Sequence, residues 1–226
     1  MKLVLKNAVL LLAVCILTGC DFNIKVGNGL GKGIKGSGVS ATETREVESF
    51  DSVTHMGYGK LNLSQGEETS VVVTADDNLL ELIEAKVQNG VLMISPTESI
   101  SPESELEITI VSPQFKVIKA AGAVAVNVDN LSGDSIEFDV SGAGSIAGTG
   151  NVSELTISIA GAGSAKLEEF EALKTKITIS GAGSASVFAK ESINAVINGT
   201  GSIKIHGNPA NVDKSVNGIG SIKKVD

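Results

Sequence analysis

The 226-residue chain has no tryptophan, one tyrosine (Tyr58), one arginine (Arg45), two histidines (His55 and His206) and two cysteines (Cys15 and Cys20). Each shortage removes a class of chemistry. With so few aromatic side chains, a carbohydrate face built from stacking platforms is poorly supplied, which leaves hydrogen bonding by Ser, Thr and Asn as the polar alternative. The six phenylalanines (Phe22, Phe50, Phe115, Phe138, Phe170 and Phe188) read as core or end-capping residues. Both cysteines lie within the first 20 residues. The rest of the chain therefore offers no thiol for a disulfide, a metal or a nucleophile. Past residue 20 there is also no apolar run long enough to span a bilayer as a helix. The formal charge of −8 disfavours nucleic acid, since phosphate neutralisation needs a basic face.

What the chain has in quantity is glycine, 26 of them, and many fall in one pattern. Val140-Ser-Gly-Ala-Gly-Ser-Ile146 returns as Ile159-Ala-Gly-Ala-Gly-Ser-Ala165, Ile179-Ser-Gly-Ala-Gly-Ser-Ala185, Ile197-Asn-Gly-Thr-Gly-Ser-Ile203 and Val216-Asn-Gly-Ile-Gly-Ser-Ile222. The leading glycines, Gly142, Gly161, Gly181, Gly199 and Gly218, step by 19, 20, 18 and 19 residues. Self-similarity at such a period marks a solenoid. A worn copy, Ala121-Gly122-Ala123-Val124, precedes them.

Apolar residues alternate on both sides of each glycine pair, as in Ile136/Phe138/Val140 before a corner and Ala185/Val187 after one. A period of two is that of a strand with one buried face. A unit this small cannot bury its own face, but coiling it puts like residue over like residue at about the 4.8 Å spacing of neighbouring strands. The expected fold is all-β: a parallel β-helix with rungs of about 19–20 residues, right-handed because parallel crossovers in a sheet take that hand. Gly142, Gly144, Gly161, Gly163, Gly181, Gly183, Gly199, Gly201, Gly218 and Gly220 are its expected corner residues. Ser145, Ser164, Ser184, Ser202 and Ser221 would stack as a serine ladder able to pass hydroxyl hydrogen bonds along the axis. Ala147, Ala165 and Ala185 read as small core residues that imply a narrow coil.

Residues 1–19 read as an export signal: Lys2 and Lys6, an apolar stretch from Ala8 to Leu17, then Leu17-Thr18-Gly19-Cys20. Those last four residues resemble the lipobox of bacterial lipoproteins. The resemblance implies cleavage before Cys20 and lipid attachment to its sulfur, with stable anchoring by two or more acyl chains. Loss of Lys2 and Lys6 would take the charge from −8 to −10. Asp21 resembles an inner-membrane retention signal of enteric-type lipoproteins, and it reads equally as a solvated charge. Residues 20–40, with Gly27, Gly29, Gly31, Gly33, Gly36 and Gly38, read as a tether whose lysines can rest on anionic head groups. A dinucleotide loop there would require a preceding strand and a following helix, and neither is indicated.

Residues 41–226 read as one head domain, with an irregular half over about 41–118 and regular repeats over about 119–226. In the irregular half, strands are expected around Val47/Phe50/Val53, Leu61/Leu63, Val71/Val73, Val91/Met93 or Leu92/Ile94, and Leu106/Ile108/Ile110. A short helix is expected after Asp76-Asp77-Asn78, with Leu79, Leu82, Ile83 and Lys86 at helical spacing. Met56-Gly57-Tyr58-Gly59 echoes the corner pattern. Gly36 and Gly38, Arg45-Glu46-Val47, Val71-Val72-Val73, Asp76-Asp77-Asn78, Asn89-Gly90-x-Leu92-x-Ile94 and the repeated Ser-Gly-Ala-Gly-Ser together resemble the bacterial family called the putative auto-transporter adhesin head GIN domain. The resemblance spans about residues 36–224. It implies a β-helix on an exported or lipid-anchored protein and brings no catalytic residues.

Parallel β-helices also carry polysaccharide lyases and hydrolases, whose sites need clustered carboxylates with a basic residue or calcium. Asp134 with Asp139, or Glu168, Glu169 and Glu171, would be the acidic candidates, but they do not recur at one repeat position. The nonapeptide calcium roll is likewise unmatched, because serine stands where its aspartate would be. No catalytic residue, metal or cofactor is expected. The expected protein is a non-enzymatic envelope protein, membrane-bound through Cys20, that contacts another envelope protein or a surface polymer. The alternatives are a polysaccharide-active enzyme or a structural spacer.

Overall fold

A computed structural model describes residues 33–225. Cys20, Asp21 and the export signal lie outside the described residues. Of the described residues 75% are strand and 3% helix, in a β-helix of about 5 turns with rungs about 20 residues apart. In order, the elements are β1 (Ile34–Lys35), β2 (Ser40–Arg45), β3 (Ser52–Gln65), β4 (Ser70–Asp76), a 3₁₀ helix (Asp77–Leu82), β5 (Ile83–Gln88), β6 (Val91–Pro96), β7 (Ile100–Ser101), β8 (Glu107–Ser112), β9 (Val117–Gly142), β10 (Ser145–Gly161), β11 (Ser164–Leu167), β12 (Phe170–Phe188), β13 (Ser192–His206) and β14 (Asn211–Lys224).

The repeats stack as their sequence pattern demands. β9 pairs in parallel with β10, β10 with β11 and β12, β12 with β13, and β13 with β14. The register sets Ile157 on Ile177, Ile159 on Ile179 and Gly161 on Gly181, so like stacks on like in these columns. The inward columns are buried, including Phe138, Ile157, Ile177 and Ala195 in one and Leu167, Val187 and Ile205 in another. Phe138 and Phe170 meet edge to face inside the coil, with ring centroids 5.8 Å apart. Ala147 is a correction: it pairs with Asn127 and Lys166, in an outward column, and only Ala165 and Ala185 of the three alanines are in the core.

The N-terminal part builds a cap over the first rung. β3 is that rung; it pairs in parallel with β9 on one side and with β6 and β8 on the other. Beyond it the sheet turns antiparallel, β8 to β4 and β4 to β2, while β5 folds back on β6. Gly57 and Gly122 continue the corner column, since a Cβ on Gly122 would strike the carbonyl of Gly57. Of the two registers left open for β6, the inward pair is Leu92 and Ile94.

The expected helix is a six-residue 3₁₀ helix, and Ile83 and Lys86 belong to β5. The reason is tertiary: Asp76 makes no side-chain cap bond to the helix, because its carboxylate is engaged by the amides of Gly38 and Glu103. Within the stretch read as a tether, Ile34–Lys35 pairs with Ile100–Ser101. A side chain on Gly33 would meet the backbone of Ile100, so this segment is fitted to the cap.

Candidate interaction surface

The corner glycines organise the surface as well as the core. Gly142, Gly161, Gly181, Gly199 and Gly218 all have positive φ, from 103° at Gly142 to 145° at Gly218. At Gly181 the requirement is double: φ is 130°, and an added Cβ would sit closer than 3.0 Å to the carbonyl oxygen of Gly161 on the rung before. That carbonyl row is a working part of the fold, since Ala143 and Ala162 donate their amides to Gly122 and Gly142 at 2.9 and 2.8 Å. The second glycines, Gly144, Gly163, Gly183, Gly201 and Gly220, have no such dihedral. They are excluded from carrying side chains by crowding, against Ile159 at Gly163 and against the carbonyl of Gly183 at Gly201.

Because neither glycine projects a side chain, the stacked corners form an open trough along the axis with a volume of about 870 Å³. Ala143, Ala162, Ala182 and Thr200 line it between the glycines, and Lys60 and Glu105, ion-paired at 2.9 Å, stand at its cap end. Ser145, Ser164, Ser184, Ser202 and Ser221 do stack in one column. Among the described residues no hydrogen bond links one of these hydroxyls to the next. The amides of Ser164 and Ser184 bond instead to the carbonyls of Gly144 and Gly163, both at 3.1 Å. Cross-rung side-chain bonds are made elsewhere on the flanks, by Asn127 to Asn62, Asn217 to Asn198 and Asn194 to Asp213, each at 2.9 Å.

The acidic candidates are dispersed. Among the described residues no group of three or more His, Cys, Asp or Glu side chains converges as a metal site would require. Glu171 accepts from Asn151 at 3.3 Å, and Asp134, Asp139, Glu168 and Glu169 are not drawn into a cluster with it.

Three buried or partly buried titratable groups lie in the cap and its first rung. Asp76 is fully buried, and its carboxylate accepts the amides of Gly38 (2.7 Å), Glu103 (3.0 Å) and Ser104 (3.1 Å). Burial pushes its pKa up, but the amide donors together prevail and hold it below the usual carboxylate value. Asn78 completes a clasp on the glycine-rich entry, accepting from the Ser37 amide and donating to the Lys35 carbonyl, both at 2.9 Å. Gly36 is small because a Cβ there would collide with the Asp76 carboxylate. His55 is buried with Nδ1 3.3 Å from the Ile94 carbonyl and Nε2 3.1 Å from that of Tyr58. Desolvation holds its pKa below the ordinary imidazole value, against the pull of those two acceptors. Burial, with a smaller contribution from Asp76, raises the Tyr58 phenol.

Sequence reasoning missed the Asp76 clasp. The signal was present as two short polar motifs, Gly36-Ser-Gly38 and Asp76-Asp77-Asn78, but nothing local shows that segments about 40 residues apart meet.

The model of one protein family, described as "Putative auto-transporter adhesin, head GIN domain", matches residues 49–209. The chain belongs to this family. No curated protein matches it. A putative adhesin from Bacteroides fragilis NCTC 9343, known from a crystal structure, superposes with a TM-score of 0.72 at 24% identity, covering 85% of this chain and 100% of that one. A putative adhesin from Parabacteroides distasonis ATCC 8503 gives a TM-score of 0.55 at 22% identity, over 86% and 100% of the two chains. At these identities the likeness is one of fold. Head GIN domain membership accounts for the capped β-helix and leaves the contact to be argued from the surface.

Proposed function

We propose that this head GIN domain protein is lipid-anchored through Cys20 and displays its β-helix at the cell envelope for non-enzymatic contact with another envelope protein or a surface polymer. The supporting observation is the parallel register of the rungs from β9 to β14, which shifts once between Gly148 and Gly150 and otherwise stacks the outward residues in columns on a stiff frame. Solenoids recognise partners through extended surfaces of this kind. The trough is the concave part of that surface, with small residues that let a chain-like partner approach the backbone. The anchor rests on the likeness of Leu17-Thr18-Gly19-Cys20 to a lipobox.

Two experiments test the reading. Metabolic labelling with an alkyne fatty acid should mark the full chain, and Cys20→Ser should abolish the label; a labelled variant would refute the anchor. Binding of the full chain to immobilised envelope glycans and envelope proteins should fall about tenfold, or 1.4 kcal/mol, when Ala162 and Ala182 are both replaced by glutamate. Unchanged binding would remove the trough from the contact. Release of reducing or unsaturated ends from the glycans would overturn the non-enzymatic reading.

A further inference from the structure

The two ends of the stack are finished differently. At the first rung, β6 and β8 cover β3, so that end is closed by the cap. At the last rung, among the described residues, β14 pairs with β13 alone. Among the described residues no strand pairs with its other edge, and the face that would continue the core carries Val212, Val216 and Ile222 over Ile193, Ile197 and Ile203. Val216 and Ile219 are among the exposed large apolar residues of the chain. An open, flat, partly apolar strand edge is a template for pairing.

Two residues break the pattern of that face. The column Phe138, Ile157, Ile177, Ala195 ends in Lys214, and the column Leu167, Val187, Ile205 ends in Lys224. Every earlier member of both columns is buried and uncharged. The ammonium groups fold back onto their own end of the coil: Lys214 donates to the Ile222 carbonyl at 3.3 Å and Lys224 to the Pro209 carbonyl at 2.7 Å. Inward-pointing charge on an edge strand is a recognised device against edge-to-edge pairing. Lys204 and Lys223, by contrast, stand in the outward column with Ser186, where charge interrupts nothing.

We infer that the β14 edge is a self-association surface, fitted to a second copy of this chain, which Lys214 and Lys224 hold shut. The occupant is a second copy for two reasons. A strand continuing the core over Val212, Val216 and Ile222 needs the same spacing of apolar residues. It also needs glycine where it crosses Gly218, because each corner carbonyl excludes a Cβ on the next rung. The cap closes the opposite end, so two copies meet β14 to β14. Joining them buries four ammonium groups, two from each copy, against one another, and desolvation and like-charge repulsion then oppose the apolar gain.

The test is native mass spectrometry of the detergent-solubilised full chain. Wild type is expected as a monomer. Lys214→Ala with Lys224→Ile restores the residues of the preceding rung, and its dimer fraction should rise about tenfold or more at equal concentration. Lys204→Ile with Lys223→Ile, which removes as much charge from the outward face, should stay monomeric. A charge-reversed chain, Lys214→Glu with Lys224→Glu, should be monomeric alone and form a mixed dimer with wild type; this arm decides the matter if the apolar variant does not fold. A dimeric wild type overturns the inference, as does dimerisation of the outward-lysine control. So does a charge-reversed chain that forms no mixed dimer with wild type.

Discussion

The repeats and the cap solve the same problem, burying one face of a strand, by opposite means. From β9 to β14 each residue leans on its counterpart one rung away, and the structure is carried by backbone ladders and by glycines that let the rungs close up. In the cap almost nothing repeats. Of the four buried polar residues among those described, His55, Asp76 and Ser112 belong to the cap and its first rung, and Thr175 to the repeats. Ser112 donates to the Phe50 carbonyl at 3.1 Å and Arg45 to the Leu80 carbonyl at 2.6 Å, each a contact made once. A coil whose rungs are interchangeable has no intrinsic end. The cap supplies one end through singular polar contacts, and lysines in place of apolar residues mark the other.

The comparison predicts where damage should be severe. The largest effect should come from Gly181→Val in the middle of the stack. A glycine lost from an ordinary position costs about 1 kcal/mol. Here a left-handed dihedral and a clash with the Gly161 carbonyl add to that, so the loss should exceed about 3 kcal/mol by thermal unfolding. Next should come Asp76→Ala, which strands the amides of Gly38, Glu103 and Ser104. It should lower the melting temperature by several degrees and open the 33–39 segment to protease, while the distant rungs keep their protection. A variant that melts like wild type would deny the clasp any role.

Asp76 and His55, both buried, give the cap and its first rung a pH dependence. Asp76 has its folded pKa below the ordinary 3.8, so its contribution is complete above that value and is lost as pH falls through the lower folded pKa. His55 is a base with its folded pKa below the ordinary 6.5. The folded state therefore binds fewer protons than the unfolded one, and stability falls as pH drops below 6.5. His55→Gln should flatten the dependence just below 6.5, and Asp76→Asn should flatten only the more acid part. Melting profiles against pH separate the two, and an unchanged slope in His55→Gln would reject the imidazole as its source.

Regularity also decided what could be read from the sequence. The repeat was legible because one rule, apolar alternation on both sides of Gly-x-Gly, held from Ile136 to Ile203, and register follows once like stacks on like. Even there the outward Ala147 read as core, since a small residue fits either side of a strand. The cap was half legible. Its strands around Leu61, Val71 and Ile108 showed as alternation, but the antiparallel pairing of β4 with β8 and β2 did not, because pairing direction depends on contacts far apart in sequence. The helix after Asp76 fell short for a related reason: the capping carboxylate is held by residues near Gly38 and Ser104. The serines stack in one column, yet the bonds from rung to rung are made by backbone amides and carbonyls, which the side-chain pattern does not show.

The smallest effect should be that of Gly218→Val. It meets the same crowding against the Gly199 carbonyl, but on the terminal rung, so β14 can lift away while β13 stays paired to β12. Its melting temperature should stay within a few degrees of wild type.

Amide hydrogen exchange of the full chain carrying Gly181→Val tests the stacked-corner account most directly. If stability passes from rung to rung, protection should collapse in β12, β13 and β14, weaken in β10, and persist in β3, β4, β6 and β8, where the cap is held by its own contacts. Uniform loss of protection from cap to tip, or protection unchanged throughout, would contradict it.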